Sequence, residues 1–433
     1  MSDPVLGLLG FGAALVLIAL GLPVAISMGV IGGLGYWYLN GWTGVAYVMG
    51  SSPFESIFPY SFSVIPLFVM MGVFASHAGL SRALFDVIAS FVGHRRGGLA
   101  ITTVGASAVF GAICGSSLAT VATIGRVALP QMDQRGYDPS LSTATVAAGG
   151  TLGVLIPPSV LLVIYGLLTQ SSIGQLFIAA LVPGLLGALL YAGAIAVRVR
   201  MRPDLAPRSD RTDWPDRMRH LGRVWPVVVL FALVIGGIYL GWFSPTEAAA
   251  VGAVGAFVLA LASGELTWAA LKASVFETAA LTGMIYFILV GAALFNFYLE
   301  TTGLPQLLIE QIRAAGLGPL AVMVLILVFY IVLGCFMDSM SMILLTVPLL
   351  APVALEIGYD LIWFGIIVVT VAEIGLITPP IGMNLFVVQA ASQGVAQGTV
   401  VRGILPFILA DILRLAILLL FPALILWLPG QAF

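Results

Sequence analysis

Four short stretches gather glycines, hydroxyl side chains or double prolines inside otherwise apolar runs. They are 111–123 (GAICGSSLATVAT), 149–159 (GGTLGVLIPPS), 334–341 (GCFMDSMS) and 375–384 (GLITPPIGMN). A Pro-Pro pair removes two backbone donors and disfavours helix in the residue before it. The carbonyls left without donors, and the neighbouring Ser and Thr hydroxyls, are hard oxygen ligands of the kind a small cation such as Na⁺ takes. A helix that starts at such a break points N–H groups and a positive dipole end at a carboxylate. One broken helix can therefore hold a cation and an organic anion together. Ionisable groups inside a bilayer are costly and mostly functional. Asp338 lies within the third stretch and reads as a cation ligand or proton carrier. Glu373, just before the fourth, reads as a possible coupling acid. Asp411 and Arg414, spaced i,i+3 in the last apolar run, read as a structural ion pair.

Enzyme chemistry has little support. His77, His94 and His220 are not spaced as metal ligands, and the two cysteines, Cys114 and Cys335, form no CxxC motif. Both read as small buried apolar residues. No intramembrane His supports a Ser/His constellation, and Asp338 and Glu373 are the only plausible deep acid pair, so no catalytic residue and no organic cofactor are expected.

The elements that must position these groups follow from composition. The chain has 433 residues, 61% hydrophobic and only 8% charged, whereas a soluble protein is about a quarter charged. About 20 helical residues cross the ~30 Å hydrocarbon core. Runs such as 224–240 and 320–333 show no apolar/polar alternation, which excludes a membrane β-barrel and predicts helices. The opening run 5–20 has no basic region before it and no cleavage pattern after it, so it reads as a first span. Eight arginines fall between 198 and 223, interleaved with aspartates. By the positive-inside rule this linker is cytoplasmic. Further cytoplasmic markers are 94–96, Arg126 with Arg135, Lys272 and Arg402. Counting spans between them puts both termini on the opposite side.

The chain also repeats itself. Gly111 matches Gly334 at an offset of 223, and Gly136-Tyr137-Asp138 matches Gly358-Tyr359-Asp360 at 222. Ile156-Pro157-Pro158 matches Thr378-Pro379-Pro380 at 222, Pro183 matches Pro406 at 223, and Gly79-Leu80 matches Gly303-Leu304 at 224. Five matches in register indicate internal duplication. Matching loops differ in charge: 94–96 and Arg135 are basic, whereas 353–360 carries Glu356 and Asp360 and no Lys or Arg. Equivalent loops are therefore expected on opposite sides, as in inverted-repeat transporters. The predicted architecture is an all-α integral membrane protein of two inverted repeats, residues 1–197 and 224–433, joined by a linker at 198–223. Each repeat would hold about five transmembrane helices, a re-entrant hairpin (98–132 and 317–352) and a broken helix (139–170 and 361–395). Segments 81–93 and 305–315 read as interfacial amphipathic helices.

The motifs GAICGSSLATVATIG, FMDSMSMILLTVPL and GLITPPIGMNLF resemble those of the large membrane subunit of tripartite ATP-independent periplasmic (TRAP) transporters, and the resemblance spans essentially the whole chain. It implies an elevator-type transporter of a bacterial inner membrane, with both termini periplasmic. It implies a small four-helix membrane subunit and a periplasmic substrate-binding protein as partners, and Na⁺-coupled uptake of an organic acid such as a dicarboxylate or sugar acid. One Na⁺ site would use Ser116, Ser117 and carbonyls near Gly153 and Pro157. The second would use Gly334, Asp338, Ser339, Thr378 and Pro379. The substrate carboxylate would lie near Ser116, Thr120, Ser341 and Asn384. At an offset of 223, Gly115 aligns with Asp338, so the two ion sites need not be equivalent. A stand-alone carboxylate–cation symporter or antiporter is the alternative. Which acid is carried is not written in this chain.

The inverted arrangement is checked by cysteine-accessibility or glycosylation mapping. Sites introduced at Arg135 and Glu356 are expected to label from opposite sides of the membrane; labelling from the same side overturns it.

Overall fold

The computed structural model describes residues 3–208, 211–264, 266–392 and 394–432. Among these residues the structure is helices joined by turns and short extended breaks, with no strand, and helix starts are set by capping residues and prolines. Asp138 accepts a hydrogen bond from Ser140 N before Pro139, Asp360 accepts from Ile362 N and Trp363 N, and Ser244 and Glu247 form a reciprocal capping box before Pro245. The first half comprises α1 (Asp3–Ala19), α2 (Val24–Ile57), α3 (Val64–His77), α4 (Leu80–Val92), α5 (Gly98–Cys114), α6 (Ser117–Gln134), α7 (Pro139–Leu155), α8 (Val160–Thr169) and α9 (Ile173–Met201). The second comprises α10 (Trp214–Tyr239), α11 (Pro245–Ala262), α12 (Trp268–Thr302), α13 (Leu304–Ala314), α14 (Pro319–Gly334), α15 (Ser339–Glu356), α16 (Leu361–Ile377), α17 (Met383–Ala391) and α18 (Gln397–Leu420). Seven helical stretches among the described residues are long and apolar enough to cross a membrane, and the bent pair α7–α8, with 42° between its parts, makes an eighth.

From α4 to α9 and from α13 to α18 the order is the same: a short amphipathic helix, a two-limbed hairpin, a broken helix and a long helix. Upstream the halves also correspond. Gly41 (φ +71°) breaks α2 where Gly264 (φ +74°), 223 residues later, separates α11 from α12. Only glycine enters that left-handed region at no steric cost.

Two sequence expectations need correction. Among the described residues of the expected linker, only 202–208 and 211–213 lie outside the flanking long helices, since α9 runs to Met201 and α10 begins at Trp214. The linker also docks on the bundle: Asp138 N donates to Leu205 O, and Ala206 is fully buried. Arg217 packs over Phe91 and Trp214. Partial burial, with Arg211, Arg217 and Arg95 nearby, holds His94 below its ordinary pKa. The second correction concerns register. The hairpin's second limb is capped by Ser116 in one half and by Asp338 in the other. Asp338 is therefore the counterpart of Ser116, at an offset of 222, and Gly115 is not its partner. Capping geometry decides this, because each residue accepts from the N–H three positions on.

The helices sort into two bodies. In one, α1, α2, α3, α10, α11 and α12 pack together, with α2 against α12 at its centre. A Cβ on Gly32 would lie 2.5 Å from Phe295 N, and one on Gly291 would lie 2.3 Å from Ala25 O, so those helices touch backbone to backbone. The other body holds α5–α9 and α14–α18, with α4 packed between α5 and α10 and α13 between α1 and α15. Here each hairpin crosses its own broken helix at a pair of glycines. A Cβ on Gly111 would stand 2.3 Å from Gly153 Cα, and a Cβ on Gly375 would stand 2.4 Å from Gly334 Cα.

The same body contains a fully buried ion pair, as the i,i+3 spacing suggested: Arg414 Nη2 lies 2.8 Å from Asp411 Oδ1. Tyr191 donates to Asp411 Oδ2 at 2.6 Å, and Thr151 Oγ1 lies 3.1 Å from the Tyr191 oxygen. Gly187 leaves room for the guanidinium, since a Cβ there would be 2.2 Å from Arg414 Nη1.

Two outcomes follow. Gly375→Ala is expected to destabilise the protein by about 1–3 kcal/mol through overpacking. Gly12→Ala, with nothing within 4 Å of the added Cβ, should be neutral or gain about 0.5–1 kcal/mol of helix propensity. Arg414→Met leaves Asp411 uncompensated and should cost about 3–5 kcal/mol, most of it recovered in the double variant D411N/R414M. Thermal melting of the detergent-purified protein reads both; equal melting of the two glycine variants, or a double variant as unstable as R414M, contradicts them.

Candidate transport site

Each hairpin turns over at a capping residue followed by a serine. In the first, Gly115 (φ +67°) ends α5 and Ser116 is extended. Ser116 Oγ accepts from Ala119 N at 3.4 Å, while Thr120 Oγ1 donates to Ser116 O at 2.7 Å. In the second, Asp338 Oδ2 accepts from Ser341 N at 3.0 Å, and Asp338 Oδ1 accepts from the Ser341 hydroxyl at 2.5 Å. These caps satisfy helix-end N–H groups that have no intrahelical partner. Both second limbs then open with a serine, Ser117 in α6 and Ser339 in α15. Ser339 Oγ donates to Glu373 Oε1 at 2.8 Å, and Ser117 Oγ donates to the other oxygen of the same carboxylate. Glu373, on α16, is 1% exposed.

The broken helices abut these tips. After Leu155 the chain runs extended at Ile156 through Pro157–Pro158, and Ser159 Oγ caps α8 by accepting from Leu162 N at 3.3 Å. Gly115 sits against Val160; a Cβ on it would be 3.1 Å from Val160 Cγ2. After Ile377 the chain is extended at Thr378, whose hydroxyl donates to Ile374 O at 2.7 Å. Pro379–Pro380 follows, and Gly382 (φ +57°) turns the chain into α17. Cys335 Sγ lies 3.6 Å from Pro379 O, joining the second tip to the second break.

A cavity of about 1150 Å³ ends at both tips. Ser116, Ser117, Asp338, Ser339 and Glu373 all line it. Of the four residues placed near a substrate carboxylate, only Ser116 does; it is exposed there. Thr120, Ser341 and Asn384 are buried behind the tips. Asn384 Nδ2 donates to Ala147 O at 3.2 Å, and its Oδ1 has no partner among the described residues. Gly153 and Gly334 lie at the two crossings, and Pro157, Thr378 and Pro379 lie at the breaks. The cavity wall also includes Arg82 of α4, Arg126 of α6, and His220 and Arg223 of α10, with Asp86 and Glu277 as acidic members. In the sequence Arg126 stands out only as a marker of sidedness. Its signal was an arginine within the apolar limb of a hairpin, nine residues past Ser117.

A family model described as "Tripartite ATP-independent periplasmic transporter, DctM component" matches residues 11–424. The chain is 39% identical to the C4-dicarboxylate TRAP transporter large permease protein DctM of Pseudomonas aeruginosa, over 87% of this chain and 88% of that one. It is 36% identical to the ectoine/5-hydroxyectoine TRAP transporter large permease protein UehC of Ruegeria pomeroyi, over 98% of both. It is 30% identical to the sialic acid TRAP transporter permease protein SiaT of Haemophilus influenzae, over 96% of this chain and 67% of that one. In fold it is similar to the YdaH transporter of Alcanivorax borkumensis, with a TM-score of 0.63 at 15% identity, covering 97% of this chain and 99% of that one. With paired hairpin tips, broken helices and a match over nearly its whole length, this chain belongs to the TRAP transporter family as a large permease subunit.

Proposed function

We propose that this permease takes up a carboxylate-bearing organic acid across a bacterial inner membrane, driven by Na⁺. A small membrane subunit would accompany it and a periplasmic binding protein would deliver the acid. One observation supports this most: the two tips present Ser116–Ser117 and Asp338–Ser339 side by side at the end of an open cavity. The first ion would use the hydroxyls of Ser116 and Ser117 with carbonyls near Gly153 and Pro157. The second would use Asp338 and Ser339 with carbonyls near Gly334, Thr378 and Pro379. The substrate carboxylate would sit between the tips, against Ser116 and the N-terminal ends of α6 and α15. Thr120, Ser341 and Asn384 would support the tips from behind, and Glu373 would act as the coupling acid. Arg82, Arg126 and Arg223 offer cationic partners to an anion in the cavity, beside the acidic Asp86 and Glu277. A C4-dicarboxylate is the first substrate to try, because the Pseudomonas aeruginosa, Vibrio cholerae and Rhodobacter capsulatus relatives carry that name.

The two-body arrangement supports an elevator movement, with the body holding both tips sliding on the other and α4 and α13 as arms. Gly72 of α3 meets the Cys114 backbone at this boundary, where a Cβ would be 2.9 Å from Cys114 Cα. Arg223 and His220 lie in the N-terminal part of α10, the helix that leaves the basic linker, so the cavity would open to the cytoplasm, with both termini periplasmic. Transport is tested in proteoliposomes with both partners and a labelled C4-dicarboxylate. Uptake should follow the Na⁺ gradient without ATP. Ser116→Ala should raise the Na⁺ concentration for half-maximal uptake about tenfold, equivalent to ~1.4 kcal/mol. Asp338→Ala, which removes a charge, should cost more. Unchanged Na⁺ dependence in both variants overturns the assigned sites. Uptake by this chain alone would favour the stand-alone symporter.

A further inference from the structure

Glu373 holds a position that neither ion site explains by itself. Ser117 and Ser339 are repeat counterparts, 222 residues apart, on opposite hairpins. Each donates its proton to a different oxygen of the one Glu373 carboxylate. The counterpart of Glu373 in the first half, at the same offset, is Thr151, which instead meets Tyr191. One carboxylate therefore serves two tips. A serine hydroxyl has one proton and two lone pairs. With its proton committed to Glu373, only lone pairs remain to face the cavity, which is what a cation ligand requires. Outer partners that fix ligand orientation in this way govern metal affinity.

Charge points the same way. Arg414 and Asp411 neutralise each other within this body. Among the described residues no cation lies within ion-pair distance of Glu373. A buried carboxylate without a cationic partner is costly, and an ion at either tip lowers that cost.

We infer that Glu373 is a shared positioning residue, which aims the hydroxyl oxygens of both tips at their ions and thereby couples occupancy of the two sites. This rests on the two-ion reading above. The first ion fixes the carboxylate and both serines, and the second binds to an oxygen already aimed. Ion activation of uptake should therefore be cooperative.

Glu373→Gln tests it. The amide can accept a proton from one serine, but its N–H group donates to the other and occupies a lone pair that an ion needs. The Na⁺ activation curve of E373Q should shift about tenfold to higher concentration. Its Hill coefficient should fall from above one in the wild type to about one, with the protein still monodisperse in detergent. S117A and S339A should each do the same, and E373Q should add little to S117A/S339A. A purely structural brace would lower the melting temperature and leave the Hill coefficient unchanged. If E373Q fails to insert, the two serine variants decide: wild-type Hill coefficients in both overturn the proposal. So does a wild-type coefficient of one, or full additivity of E373Q with the serine pair. Absence of any Na⁺ dependence in the wild type would instead remove the Na⁺ reading itself.

Discussion

The body that holds both hairpins is organised around two places where backbone meets backbone. Gly111 crosses Gly153, and 222 to 223 residues later Gly334 crosses Gly375, with no room for a Cβ in either pair. Interior packing is bistable and unforgiving of added volume. Each crossing therefore fixes where a hairpin's first limb meets its broken helix, a few residues before the tip and before the Pro-Pro break. The tip is thus located by a helix contact and not by the conformation of the loop. The sequence reading assigned Gly153 and Gly334 to ion ligation through carbonyls; the structure adds a packing role for both.

Breaking helices at membrane depth is tolerated only where other protein groups take over the lost hydrogen bonds. That condition shapes the tips. Ser116, Asp338 and Ser159 cap the limbs that restart, and Gly382 turns the other. The caps also differ in charge. Ser116 is neutral and its counterpart Asp338 is a carboxylate, so equal backbone geometry presents unequal fields to whatever binds. Glu373 and Thr151 repeat the contrast one layer further in. Duplication supplied the frame, and substitution at equivalent positions made the halves chemically distinct.

The surroundings follow from charge placement. Arg414 and Asp411 lie together at the core of the body that holds both tips, where neither is tolerated alone. Arg82, Arg126, His220 and Arg223 reach the cavity from three different elements: α4, the hairpin limb α6, and α10 of the other body. Asp86 and Glu277 join them there. These charges are divided between the two bodies, whereas both partners of the Arg414–Asp411 pair belong to one of them. The docked linker, with Ala206 buried and Leu205 bonded to Asp138, ties the join between halves to the start of α7.

Much of this was legible in the sequence because the signals are local or periodic. Long apolar runs without alternation demand membrane helices. Gly, Ser and Pro-Pro clusters within them demand breaks, and a repeat offset near 223 pairs those breaks. The spacing of Asp411 and Arg414 made an ion pair readable from a single helix. What remained undecided depended on contacts between residues far apart in the chain. Ser117 and Glu373 are separated by 256 positions, and no spacing rule joins a serine on one hairpin to an acid in the other half. The turning of Thr120, Ser341 and Asn384 away from the cavity and the entry of Arg126 into it were likewise settled by tertiary packing, whereas the correspondence of Asp338 with Ser116 was settled by where each hairpin's second limb is capped. A residue type and its local spacing say which chemistry is available. Only tertiary packing, in which touching glycines fix each hairpin on its own broken helix and the two halves come together, decides which of those groups face one another.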